Sequence, residues 1–162
     1  MDRIEIKGYK SFKDLALDLL PINILIGSNG SGKSNFLSFF EFLNRLYEQK
    51  LTEYVALNGG IDKYFFQGSK ITDAICATIG FKDIFYSFEL KEGDNRFVFS
   101  KERLGNHSLY TAIGVFGNEA SIKSYSGLSI GEHIRKYLSE IKKYHFHDTG
   151  KSSPFTKESH IV

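Results

Sequence analysis

The chain has 162 residues, 41% hydrophobic and 25% charged, with a formal net charge of +2, which suits one globular domain with a sizeable core and argues against a dedicated, strongly basic nucleic-acid module. With 15 Phe, 9 Tyr and no Trp, the core is expected to be rich in phenylalanine, and the single cysteine, Cys76, has no partner for an internal disulfide or a paired metal site and reads as a small strand residue. No apolar run reaches the length of a membrane span and residues 1–5 carry no signal-peptide core, so a cytoplasmic protein is expected.

Residues 2–9 alternate polar and apolar, placing Ile4 and Ile6 on one face and Glu5 and Lys7 on the other, and predict a half-buried strand. Residues 10–14 read as a polar connection. Residues 15–19 follow as a second strand with Leu15, Leu17 and Leu19 together, ended by Pro21, which lacks the ladder N–H. Residues 22–26, Ile-Asn-Ile-Leu-Ile, form an apolar run that predicts a third strand buried on both faces.

The next residues carry the clearest chemical signal in the chain. Gly27, Ser28, Asn29, Gly30, Ser31, Gly32, Lys33 and Ser34 satisfy the phosphate-loop pattern G-x-x-x-x-G-K-[ST] without a mismatch. Glycines let the backbone curl so that successive N–H groups face phosphate oxygens. A helix beginning near Lys33 adds its positive dipole end at the same place. Lys33 is expected to reach the β- and γ-phosphates of a nucleoside triphosphate, and the Ser34 hydroxyl to ligate Mg²⁺. A glycine-rich surface turn that binds nothing would not need the apolar strand upstream and the helix-forming run downstream.

From Lys33 to about Gln49 the pattern is helical, with Phe36, Phe40, Leu43 and Tyr47 on one face. Leu37, Phe39, Phe42 and Leu46 extend the apolar surface nearly all round, so the helix is expected between two sheets. Residues 51–57 continue as a short helix before the break at Asn58, Gly59 and Gly60, and residues 61–70 have no readable type. Strands are expected at residues 72–81, 84–90, 96–104 and 109–116, with a hairpin turn at residues 92–95 and a second at Gly105 and Asn106. Together they form an antiparallel meander of about three to five strands. Residues 117–128 read as loop. Residues 129–144 read as an amphipathic helix with a capping box of Ser129 and Glu132, an apolar face of Ile130, Ile134, Tyr137, Leu138 and Ile141, and basic residues Arg135, Lys136, Lys142 and Lys143 mostly opposite. That basic face is a solvated surface or a DNA contact. Residues 144–147 suit a short strand, and the remainder is polar and aperiodic.

Residues 2–35 resemble the N-terminus of the ABC-type ATPase heads of the SMC/RecF class, which includes the OLD-family proteins and many bacterial predicted ATPases. The polar aromatic-Lys/Arg-Ser segment after their first strand is matched by Tyr9, Lys10, Ser11 and Phe12. Their loop, G-x-N-G-x-G-K-S-N, is matched from Gly27 through Asn29 to Ser34 and Asn35. The likeness continues more weakly from Phe66, Gln67 and Gly68 to Leu104, and the run from Tyr144 to Thr149 is similar to a segment of one subgroup.

The resemblance implies an α/β P-loop NTPase fold of two lobes that binds Mg-ATP and hydrolyses it between two heads dimerised head-to-tail. Here the whole of residues 1–162 would be the first lobe. Strands, loop and buried helix occupy 1–60, an antiparallel β subdomain 61–116, and a helix with a lobe-junction segment 129–148. Asn29 is placed near the γ-phosphate, and Lys10 and Ser11 near the nucleotide. His145, His147 and Asp148 either form a metal constellation, sit at the loop that senses γ-phosphate and Mg²⁺, or are a polar strand end; Gln67 competes for the sensor role. DNA is among the partners of such heads, which act in DNA repair, chromosome maintenance or phage defence.

The chain departs from the class after the loop. No run of four apolar residues ends in Asp-Glu, and no Ser-Gly-Gly signature follows. The chain is therefore expected to be the first lobe of a longer ATPase, inactive alone. The alternative is a non-hydrolysing nucleotide-binding or interaction module acting with a separate subunit.

Overall fold

A computed structural model describes residues 1–114 and 116–142. Two strands, β1 (Arg3–Tyr9) and β2 (Phe12–Asp18), are followed by helices α1 (Lys33–Tyr47) and α2 (Leu51–Leu57) and a 3₁₀ turn at Ile61–Tyr64. Then come β3 (Ile75–Phe81), β4 (Ile84–Gly93), β5 (Arg96–Asn106), β6 (Tyr110–Gly114) and α3 (Ser129–Ser139). The strands form one six-stranded antiparallel sheet in the order β2-β1-β3-β4-β5-β6. The meander is thus four strands long, and β1 joins it directly, pairing Ile4 with Ile79 and Ile6 with Ala77.

Alternation decides which face of the sheet is covered. Ile4 and Ile6, then Ile75, Ala77, Ile79 and Phe81, then Tyr86, Phe88 and Leu90 all point to the same side and are buried. The helices cover that side. Phe42 of α1 packs edge-on against Tyr9 and Phe97, and Tyr137 of α3 stacks on Phe81 at 4.7 Å between ring centroids. Eight phenylalanines, among them Phe39, Phe42, Phe97 and Phe99, are buried beside aliphatic residues, so the core is rich in phenylalanine as expected. The hairpin between β4 and β5 turns through Asp94 and Asn95, both left-handed with φ of 52° and 58°, the backbone that short polar residues adopt most readily in a two-residue turn.

Several sequence expectations are corrected. The connection between the first strands is only Lys10 and Ser11, because Phe12 already pairs with Tyr9. Residues 22–26 are not a strand: they carry no ladder, and Ile22, Ile24 and Ile26 are 80%, 79% and 90% exposed. The chain leaves the sheet through a turn in which Asn23 accepts from the Leu20 N–H and donates to the Leu20 carbonyl, and no described strand pairs with residues 22–26. An apolar run forms a strand only against a neighbour. The arrangement of three strands before the loop therefore becomes two. Among the described residues helix α1 lies against one sheet rather than between two, and Leu37 is 48% exposed. Helix α3 lacks the expected capping box: Leu128 is its N-cap, Ser129 is already helical, and no side chain caps it. Residues 143–148, with the predicted strand and the His145, His147 and Asp148 constellation, lie outside the described residues.

Candidate functional site

Helix α1 starts without a cap. Its N-cap residue is Gly32, left-handed at φ 93°, with no side-chain hydrogen bond and no acidic residue in the first turn. The first helical bond runs from the Phe36 N–H to the Gly32 carbonyl, so the amides of Lys33, Ser34 and Asn35 have no intrahelical acceptor. Two left-handed glycines, Gly30 and Gly32, curl the preceding backbone. Residues 29–35 line a hollow of about 430 Å³. The Lys33 ammonium folds back over this loop, donating to the Gly27 carbonyl at 2.6 Å, the Ser28 carbonyl at 2.7 Å and Ser31 Oγ at 3.2 Å. Its three protons are thereby held on the loop. Open amides, a helix dipole and a tethered ammonium suit an anion with several oxygens. The lining contains no carboxylate.

The β1–β2 turn packs directly on this loop. A Cβ on Gly32 would lie 3.2 Å from Phe12 Cε1 and 3.3 Å from Ser11 Oγ, so any side chain here would press on the turn. Asn35 Nδ2 donates to Ser11 Oγ at 2.9 Å. Lys10 adopts φ 46° and its N–H donates to the Tyr64 carbonyl at 2.8 Å. Its ammonium donates to Ser38 Oγ at 2.9 Å.

A second hollow of about 630 Å³ adjoins the first and shares Asn35 with it; Lys10, Ser11, Tyr54, Tyr64 and Gln67 are among its lining residues. Burial pushes the phenols of Tyr54 and Tyr64 above their ordinary value, so both stay neutral. Asp62, also in its lining, accepts from Ser69 N–H and Oγ. The Ser69 backbone and side-chain bonds hold this carboxyl below the usual range.

Of the residues singled out in the sequence, Asn29, Gly30, Ser31, Gly32, Lys33, Ser34 and Asn35 share the first hollow, Lys10, Ser11 and Gln67 line the second, and Gly27 and Ser28 hold the lysine. Ser34 and Gln67 line different hollows, so the structure does not bring those two metal candidates into one cavity. Among the described residues no group of three or more His, Cys, Asp or Glu side chains is placed to hold a metal ion. A divalent cation at the first hollow would have the Ser34 hydroxyl and the oxygens of its own ligand. Sequence reasoning missed Ser38, Tyr54 and Tyr64. Tyr64 lies inside the stretch 61–70 that has no readable type and Tyr54 in the short helix before it, and Ser38 becomes part of the site only through a tertiary contact.

The sequence pattern of a family described as AAA ATPase domain matches residues 1–156. No curated protein matches the chain.

Proposed function

The chain belongs to the AAA ATPase domain family, and from that premise we propose that it binds Mg-ATP with its triphosphate on residues 27–35 and its nucleoside in the neighbouring hollow. The uncapped start of α1 under the Lys33 ammonium carries this reading. ATP would replace the Gly27 and Ser28 carbonyls as the acceptor of the lysine's protons, and the amides of residues 33–35 would take phosphate oxygens. Ser34 would supply one ligand to Mg²⁺, which bridges and neutralises the phosphates when bound. Asn29 would lie beside the γ-phosphate, and Lys10 and Ser11 would meet the ligand from the β1–β2 turn.

Hydrolysis needs a group that orients water, and the first hollow offers no carboxylate. We therefore propose that this group comes from a second lobe, in a head of the SMC/RecF/OLD kind that dimerises head-to-tail and works in DNA repair, chromosome maintenance or phage defence in the cytoplasm. The exposed aliphatic residues at 22–26 support a further lobe, because strand-forming apolar sequence is stable where neighbouring strands cover it. The missing carboxylate equally favours the second reading, a nucleotide-binding module that does not turn over. On either reading the chain alone gives no single-turnover phosphate release at saturating Mg-ATP, and release by the chain alone would overturn the need for a second lobe. Amide NMR shifts confined to residues 27–35 and the second hollow are expected on ATP addition.

A further inference from the structure

Ser38 is outside the lining of both hollows, yet three parts of the site meet at its hydroxyl. It sits on the second turn of α1, half-buried. Its Oγ donates to the Asn35 carbonyl at 2.8 Å, receives the Lys10 ammonium at 2.9 Å and lies 3.2 Å from the Tyr9 hydroxyl. A serine hydroxyl has one proton and two lone pairs. With the proton given to Asn35, both other contacts are accepted, so Tyr9 is a donor. Tyr9 is fully buried, and its burial pushes the phenol well above its ordinary value, which keeps that proton in place. The hydroxyl therefore has no spare capacity.

The Lys10 ammonium is held from two more directions. It lies 5.5 Å from the Tyr9 ring centroid and 5.0 Å from that of Tyr64, a cation shared between two aromatic faces. Its backbone is pinned in the left-handed region and bonded to Tyr64. A lysine side chain is otherwise a flexible stem. Here it is anchored beside Ser11 and Asn35, where the two hollows adjoin.

We infer that Ser38 is a positioning residue of the nucleotide site: with Tyr9 and Tyr64 it fixes the Lys10 ammonium as a second cation for a bound nucleotide. This rests on the proposed Mg-ATP reading. Asn35 links the same hydroxyl to Ser11 through its carbonyl and its side chain, so α1 sets both residues of the turn against the loop in one step.

The test is calorimetric titration of the full chain with Mg-ATP at low and moderate salt. Ser38→Ala is expected to raise Kd about tenfold, the loss of one charge-assisted hydrogen bond. Ser38→Thr, which keeps the hydroxyl, is expected to stay within about twofold of the parent chain. Lys10→Met should weaken binding at least as much and flatten its salt dependence. In the Lys10→Met background, Ser38→Ala should add less than about twofold, because the two changes remove one interaction. An unchanged Kd for Ser38→Ala, or an equal loss in both backgrounds, overturns the inference. Should Ser38→Ala not fold, Lys10→Met decides alone, and an unchanged Kd there overturns it. A parent chain that does not bind Mg-ATP overturns the underlying reading instead.

Discussion

Gly30 and Gly32 sit two residues apart in one loop with similar φ, 85° and 93°, yet alanine should affect them differently. At either position an L side chain in the left-handed region costs about 1–2 kcal/mol. At Gly30 nothing lies within 4 Å of the added Cβ, so that is the whole penalty. At Gly32 the Cβ meets Phe12 Cε1 at 3.2 Å and Ser11 Oγ at 3.3 Å. The Ser11 hydroxyl is tied to Asn35, and the Phe12 ring is half-buried, so neither withdraws freely. Overpacking of this kind adds about 1–3 kcal/mol. Gly32→Ala is therefore expected to destabilise the chain by about 2–5 kcal/mol and Gly30→Ala by about 1–2 kcal/mol. Urea unfolding followed by circular dichroism measures both, with an unchanged m-value as the check that only stability moved. Phe12→Ala made with Gly32→Ala should recover part of the loss, a coupling of about 0.5–3 kcal/mol. Equal destabilisation by the two alanines, with no coupling to Phe12, would refute the claim that the β1–β2 turn rests on the loop.

Three other outcomes are expected. Glu102 is fully buried and accepts from the Tyr86 hydroxyl at 2.7 Å, the Ser121 N–H at 2.8 Å and the Ile122 N–H at 3.0 Å. Glu102→Ala strands these donors and should cost about 3–5 kcal/mol in urea melts, while Tyr86→Phe should cost much less. Lys101 and Ser100 hold the Glu89 carboxyl below its ordinary value of 4.5; since the folded pKa is the lower one, Glu89 contributes stability above about pH 4.5 that is lost as pH falls through its folded value. Thermal melts from pH 7 to 3 should show a shallower acid-side decline for Glu89→Gln. Ile24→Ser, on the exposed run, should change the stability of this chain by less than about 0.5 kcal/mol, whereas Ile79→Ala in the sheet should cost about 2–5 kcal/mol.

The sheet was legible where period and burial coincide. In β3 every second residue from Ile75 to Phe81 is apolar and every one of those is buried, so the two-residue period located both strand and face. The same reasoning failed at residues 22–26. Their composition records an environment, but a ladder partner is a non-local fact that composition cannot supply. Ser129 failed for a local reason: the helix begins one residue earlier, and a serine already in helical backbone no longer reaches the free amides. The loop hollow could be read because its chemistry lies in nine consecutive residues. The second hollow could not, since Ser11 of the β1–β2 turn, Asn35 of α1, Tyr54 of α2 and Gln67 beyond the 3₁₀ turn meet only in the folded chain. Ser38 is the extreme case, an ordinary helical serine whose partners lie 28 and 29 positions away.

The loop at the start of α1 carries the central claim, and calorimetry of Mg-ATP with the parent chain and with Lys33→Ala tests it. The parent is expected to bind one nucleotide and the variant to show no measurable binding, with both unfolding at similar urea concentration. Equal ATP affinity in the two chains would contradict the assignment of residues 27–35 as the phosphate site.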